Sequence, residues 1–391
     1  MALLDRQAHA LLDRNRSVWA AGLDQSAAAG DFRTAQLAAF TNLAGVPLSV
    51  WRYQLSAPVT DPQVLDAAAG RLAGRVVVLH VQLLYGLARV DPLPTSKAEY
   101  LTAVHRPAGW RLAGDADAAT VGGRSWHGPW DFGPLVVRAG PHTLVLAHPD
   151  HAGQLAGFAA LVDQSVPVVA GVWGSGWNEH VAVLIPDSGA EFQAVTGDAD
   201  NISDIAAVAV ADAVNPDLAA SPDRAVLGAR IVLNPANLSR LDAAGRRLVV
   251  QHELTHIATR AQTSDQMPSW LIEGFADYVG NLGSGRTPSQ IAAELAADVR
   301  SGRVPARLPT DTDFAATNRQ LPQVYEQAWL ACRLIAARVG APGLVRFYRQ
   351  VSAAARTDPS DAAATGFRQV LGLTPAGFTA EWRTYLTRQL R

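Results

Sequence analysis

The chain has 391 residues, 49% of them hydrophobic and 17% charged, with a formal net charge of -2. That length exceeds what one core usually organises, so two domains are expected. The near-zero charge, with nothing basic clustered, excludes an electrostatic footprint for nucleic acid or an anionic membrane, and the single cysteine, Cys332, excludes an internal disulfide.

The first residues (MALLDRQAHALLDRNRS) lack the uninterrupted apolar core of a signal peptide, and no transmembrane-length run of apolar residues follows. Leu4, Ala8, Leu11, Leu12 and Trp19 recur at helical spacing, and a second helix is expected across Thr34 to Leu43. Strands come next. Trp51, Tyr53 and Leu55 alternate with Arg52 and Gln54, Gly74 to Val90 is a long β-branched run, and Lys97 to Arg106 with Gly109 to Ala113 predict a hairpin across Pro107 and Ala108. Helices followed by a meander of long strands predict an α+β unit. His80 and His105 within these strands read as core or edge histidines.

The stretch Gly122 to Pro134 (GGRSWHGPWDFGP) is dense in Gly, Pro and Trp and suits a junction, which places the domain boundary near 132. Beyond it, Leu135 to Arg138 and His142 to Ala147 predict a hairpin, Ala152 to Gln164 a helix, and Val166 to Trp173 and His180 to Ile185 strands. His142, His148 and His151 straddle a strand end, a turn and a helix start, so no shared metal geometry is expected of them. Residues 226–234 form an apolar strand just before the next helix and are a candidate for an edge that grips an extended peptide by its backbone.

Residues 245–260 (GRRLVVQHELTHIATR) read as one helix in which His252 and His256 fall one turn apart on the same face as Leu248 and Val249. Two imidazoles at that spacing are zinc-ligand geometry. Glu253 follows the first histidine directly, beside the metal rather than on it, where a carboxylate can take a proton from a water that the metal polarises. A third ligand is expected from a second helix. Glu273, in PSWLIEGFADY, is 17 residues after His256 (273 minus 256), enough for a turn and an antiparallel return, and Asp277 one turn later can fix a histidine tautomer through its far nitrogen.

HELTH followed by WLIEGFADY resembles the gluzincin clan of zinc peptidases, in particular the peptidase-MA-like proteins of high-GC, actinobacterial type; the Ala-rich, Arg-over-Lys composition fits such a genome. The resemblance implies a zincin-like C-terminal domain over 133–391 with one Zn2+ per chain on His252, His256 and Glu273, Glu253 as general base, and a peptide or protein as substrate. Tyr325, in YEQAW at the start of a helix, is similar to the tyrosine of M1-type aminopeptidases whose hydroxyl stabilises an oxyanion. Tyr278 is the next candidate for that role. No segment like the one with which M1 enzymes grip a substrate amino terminus is present upstream, so aminopeptidase specificity is not implied. Residues 1–132 resemble, at the level of pattern, an NTF2-like cone with an accessory role. Relatives of this kind often carry an N-terminal membrane anchor, which makes an extracytoplasmic location an expectation. A reading from another class is a non-catalytic, zinc-stabilised module that binds cell-envelope proteins or peptides.

After the expected ligands, Asn281 to Arg286 (NLGSGR) predicts a turn, Ile291 to Arg300 a short helix, and the Pro-, Asp- and Thr-rich residues 301–323 a lid or specificity loop. Helices anchored by Phe347, Phe367, Phe378, Trp382 and Tyr385 close the chain.

Overall fold

The computed structural model describes residues 1–197, 206–214, 226–238 and 240–391. The fold is α+β. It divides into two compact units, one of Met1–Ala160 with His180–Ser239 and one of Leu161–Glu179 with Arg240–Arg391.

The first unit opens with helices Ala2–Leu12, Arg16–Ala21 and Gly30–Asn42, followed by strand β1 (Leu48–Val59), helix Pro62–Leu72, and strands β2 (Val76–Leu87), β3 (Thr95–Arg106) and β4 (Gly109–Gly114). The strands pair antiparallel in the order β1-β2-β3-β4. In register, Trp51 lies opposite Tyr85 and Tyr53 opposite Leu83, so the alternation read from the sequence puts Trp51, Leu83 and Tyr85 into one core with Trp19, Phe40, Leu43, Leu101 and Leu112. Helix Pro62–Leu72 begins where Asp61 accepts hydrogen bonds from the amides of Gln63 (2.9 Å) and Val64 (3.2 Å) ahead of a proline at the first helical position.

A second sheet follows from β5 (Val136–Ala139), β6 (Thr143–Ala147), β7 (Val181–Ile185), β8 (Ala207–Val210) and β11 (Arg230–Leu233), in the order β5-β6-β7-β11-β8, with β9 (Ala213–Val214) and β10 (Val226–Leu227) as a separate small pair. The hairpin expected at 135–147 is β5 with β6. Two expectations are corrected here. The strand expected at Val166 to Trp173 is the second half of helix Leu155–Trp173: its run of valines imitates a strand, but Phe158, Val162, Val166, Val169 and Trp173 are buried at helical spacing. Residues 226–234 do not offer an edge, because β11 is parallel to β7 on one side and antiparallel to β8 on the other, which consumes its backbone groups.

The stretch 122–134 is more than a linker. Trp130 is buried in the first unit's core together with Leu135, Leu144, Leu146 and Leu184, so apolar packing continues across residue 132. Arg230 at the start of β11 forms a bidentate pair with Asp91, both bonds 2.6 Å, and both side chains are almost wholly buried.

In the second unit, Leu161–Trp173 lies among the helices Ala243–Thr259, Ser269–Gly280, Ala293–Arg300, Leu321–Ala355 and Pro375–Leu390. Trp173 packs edge-on against Phe275 and Tyr348 with ring centroids 5.6 and 5.4 Å away. The helix Leu321–Ala355 breaks at Gly340, whose φ of 74° is the left-handed conformation that glycine adopts without strain, two residues before Pro342. Helices 149–173 and 321–355 are long and apolar enough to cross a membrane. Within this unit, however, Trp173, Trp329, Phe347 and Tyr348 are buried core residues.

The first unit carries an acid-sensitive ion pair. Asp24, 2% exposed, accepts from Arg106 at 2.7 and 2.8 Å and from the Ser26 hydroxyl, and the Arg106 bond holds its carboxyl down at about 2. A depressed carboxylate stabilises the fold above its unfolded value of about 4 and loses that contribution as pH falls toward the folded value. Urea unfolding should therefore show stability declining from pH about 4 to about 2 in part through this pair, and Asp24→Asn should remove that part of the decline while costing roughly 2 kcal/mol near neutrality, less than a fully buried pair because Arg106 stays partly wet.

Candidate metal centre

The helix Ala243–Thr259 starts at Asp242, whose carboxylate accepts from the Gly245 amide at 2.7 Å. Its buried face includes Val250, Leu254, Ile257 and Ala258, and His252 and His256 lie at the border of that face, 13% and 21% exposed. The helix Ser269–Gly280 returns antiparallel: Gln251 donates to the carbonyls of Val279 (3.0 Å) and Gly280 (3.4 Å), His252 meets Asp277, and His256 meets Glu273. Because Gln251 is buried, these bonds satisfy both its own amide and the last carbonyls of the second helix.

Glycine makes this approach possible at two places. A methyl group on Gly280 would stand 3.2 Å from the Leu248 carbonyl oxygen and 3.6 Å from the His252 Cβ. One on Gly274, the residue after Glu273, would stand 2.4 Å from the carbonyl oxygen of Ala328, so helix Leu321–Ala355 can pack against Ser269–Gly280 only while position 274 has no side chain.

The result is a convergence of three ligand-type atoms. His252 Nε2 and His256 Nε2 are 2.9 Å apart, and Glu273 Oε2 is 3.4 Å from the first and 3.5 Å from the second. Two atoms bound to one tetrahedral zinc at the usual bond lengths are separated by about 3.3 Å. The carboxylate separations match that figure, and the imidazoles need only move apart by a few tenths of an ångström. Among the described residues, these three form the one group of His, Cys, Asp and Glu side chains close enough to hold a metal ion. Asp277 Oδ1 lies 2.8 Å from His252 Nδ1. The Nδ1–H donates to Asp277, so that in the neutral ring the lone pair of Nε2 faces His256 and Glu273.

Charge reinforces the geometry. Burial alone lowers the affinity of His252 for a proton, but its bonds to Asp277 and Glu273 outweigh that and raise its pKa well above the ordinary value. Burial pushes Glu273 up, and the positive charge and hydrogen bonds of the two histidines overcome this and bring it below the usual carboxylate range. The carboxylates thus favour positive charge at the imidazoles, which protons supply when no metal is bound and which a bound cation would supply in their place.

The remaining expected residues are placed as follows. Glu253 is buried, with 8% exposure, one position past His252. Tyr325 is half-buried in the second turn of helix Leu321–Ala355, edge-on to Phe314 at 5.3 Å. Burial raises its phenol first, and the charges of Glu273, Asp277 and Glu253 raise it further, which puts it within electrostatic reach of all three carboxylates. Trp329 and Cys332 on the same helix are buried, so Tyr325 is more open than either. Tyr278 instead lines a pocket of about 210 Å³ with Asn281, Trp329 and Arg333. The expected lid at 301–323 is tied down: Asp311 caps the first amide of helix Ser269–Gly280 at 2.7 Å, and Asp313 accepts from Arg307 at 2.6 Å and from the Thr310 amide at 2.7 Å. The histidines at 142, 148 and 151 do not converge. His148 is buried against Glu191 at 2.9 Å, and His151 faces Asp187 at 3.1 Å.

Gln251, Gly274, Gly280 and Asp311 position the site without having been singled out in the sequence. For Gly274 a signal existed, an isolated glycine inside a helical stretch; a remote cap such as Asp311 leaves none. Gly274→Ala should lower the melting temperature through a loss of roughly 1–3 kcal/mol, because the nearest obstacle is backbone and cannot rotate away. Gly171→Ala, where an added Cβ meets nothing within 4 Å, is the control and should leave stability equal or slightly higher.

The sequence matches no known protein family and no characterised protein at a significant level. Among solved structures it is similar to a mutant of a two-domain M1 zinc metallopeptidase bound to L-tryptophan, with 15% identity, a TM-score of 0.41, and coverage of 88% of this chain and 61% of that one. It is also similar to the M1 zinc metallopeptidase from Deinococcus radiodurans, with 16% identity, a TM-score of 0.38, and coverage of 74% and 58%. The chain thus spans about three fifths of the length of these structures.

Proposed function

We propose that the chain is a zinc-dependent peptidase of gluzincin type, in which His252, His256 and Glu273 hold one zinc ion. The observation that carries this reading is the convergence of two imidazole Nε2 atoms and one carboxylate oxygen, with Asp277 fixing the tautomer of His252 from behind. A zinc bound there supplies Lewis acidity toward the scissile carbonyl and lowers the pKa of water.

The other steps belong to the chain itself. Glu253 is the general base: its carboxylate takes the proton of the attacking water and passes it to the leaving amine as the C–N bond breaks. Tyr325 keeps its proton, since burial and three carboxylates oppose its loss, and donates its hydroxyl hydrogen bond to the oxygen that gains charge in the tetrahedral transition state. Asp277 acts through His252 and touches no substrate. In this reading residues 133–391 carry the peptidase, and residues 1–132 form an NTF2-like accessory domain.

Steady-state kinetics on two variants test the assignment. Glu253→Gln should keep zinc and fold but lose peptidase activity, because an amide cannot accept the proton. Tyr325→Phe should lower kcat by roughly a hundredfold with little change in KM, as expected for the loss of one oxyanion donor. Unchanged turnover in Tyr325→Phe would leave that residue with a packing role beside Phe314. A wild-type chain that binds zinc and is inert toward a broad peptide library would overturn the enzymatic reading in favour of a zinc-stabilised binding module.

A further inference from the structure

The end of helix Ser269–Gly280, residues 281–286, the short helix Pro288–Ile291 and helix Leu321–Ala355 bound the pocket of about 210 Å³ that Tyr278 lines, all within the second unit. A single water needs only about 10–15 Å³ of such space, so an organic molecule can enter. Leu282, Ile291 and Trp329 give it apolar walls, and it opens to solvent past the exposed Gly283, Gly285 and Arg286.

Its charged groups are all cationic. Arg286 and Arg333 both line it, and among the described residues no aspartate or glutamate does. Arg333 lies over the rings of Trp329 and Tyr385, 5.9 and 5.8 Å from their centroids, and its Nη1 donates to the Tyr385 hydroxyl and, at 2.9 Å, to Gln389 Oε1. These partners are neutral. Among the described residues its charge meets no carboxylate, and its Nε and Nη2 have no hydrogen-bond partner. Arg286 donates from Nη2 to the Gln290 carbonyl at 2.6 Å and meets no described carboxylate either. The Tyr278 hydroxyl makes no hydrogen bond to the described residues, and burial raises its phenol, so it keeps a proton to donate. The Ser284 hydroxyl accepts from the Arg286 amide at 3.3 Å and retains its own hydrogen. Asp277, next to Tyr278 in the chain, is taken up by His252.

We propose that this pocket binds the carboxylate of a small organic acid. A guanidinium keeps its charge and presents a planar fork that matches the two oxygens of a carboxylate. The unpartnered Nε and Nη2 of Arg333 offer that fork, Arg286 at the mouth adds a second charge, and the apolar walls take the body of the ligand. The pocket lies at the C-terminal end of helix Ser269–Gly280, where bare carbonyls would oppose an anion. Here they are occupied: Asn281 donates to the Asp277 carbonyl at 2.9 Å, Gln251 to those of Val279 and Gly280, and Arg247 to that of Gly283 at 3.1 Å. What remains of the dipole favours a singly charged carboxylate over a phosphate dianion. The proposal is independent of the metal centre, and its success or failure leaves that reading untouched.

Calorimetric titration of the full chain with benzoate, benzamide and phenyl phosphate tests it, since the first two share a shape and differ in charge. Benzoate should bind saturably, with and without added zinc, and benzamide roughly tenfold more weakly or not at all. Phenyl phosphate should bind no more tightly than benzoate. Arg333→Gln should weaken benzoate roughly tenfold or more, and Arg286→Gln, at an exposed position, several-fold with the thermal transition kept. Arg286→Gln suffices if Arg333→Gln fails to fold. No saturable benzoate binding, equal binding of benzamide, tighter binding of phenyl phosphate, a requirement for zinc, or benzoate affinity unchanged in the folded variants would each overturn the proposal.

Discussion

The site depends on how closely helices Ala243–Thr259 and Ser269–Gly280 approach each other. A carboxylate on one helix can meet two imidazoles on the other only if the backbones nearly touch, and Gly280 allows this by leaving the Leu248 carbonyl room. Gln251 then fastens the end of the second helix, and Asp277 orients His252. Gly274 extends the same logic one layer outward to helix Leu321–Ala355, which brings Tyr325 into range of the three carboxylates. Each contact is ordinary in strength. Together they fix three ligand-type atoms within a few ångströms of one another, which is the preorganisation a catalytic metal needs.

The first unit handles its buried charge differently. Arg230 with Asp91 and Arg106 with Asp24 are bidentate pairs in which each charge has a partner, and His148 is matched by Glu191. Against that background a small aromatic cavity of this unit stands out, because among the described residues no arginine or lysine lines the space that its carboxylates, Glu99, Asp115 and Asp131, share. There burial and the neighbouring Asp131 push the carboxyls of Glu99 and Asp115 up, which favours their neutral forms in place of ion pairs.

Local chemistry made much of this legible in the sequence. The i, i+4 histidines, the carboxylate on the returning helix and the Asp277 partner are set by helical period, so residue order alone is enough to identify them. The strand meander was visible for the same reason, as alternation around Trp51 and Tyr53. Failures came where tertiary context overrides pattern. The valines of 166–173 are strand-formers by propensity, yet they lie at helical spacing in a buried helix. Whether β11 is an edge depends on β7 and β8, which are remote in sequence. The aromatic cavity draws on residues from 19 to 131, a set that no local window contains, and the apolar packing across 132 is invisible in a stretch whose composition reads as a junction.

The central claim is that the paired helices form a metal site, and metal binding itself tests this most directly. The chelator-stripped chain should take up about one Zn2+ at neutral pH, and replacing His252, His256 or Glu273 by alanine should abolish tight uptake while Asp277→Asn weakens it by roughly ten- to a hundredfold. No uptake by the folded wild-type chain, or equal uptake by the three ligand variants, would contradict the account.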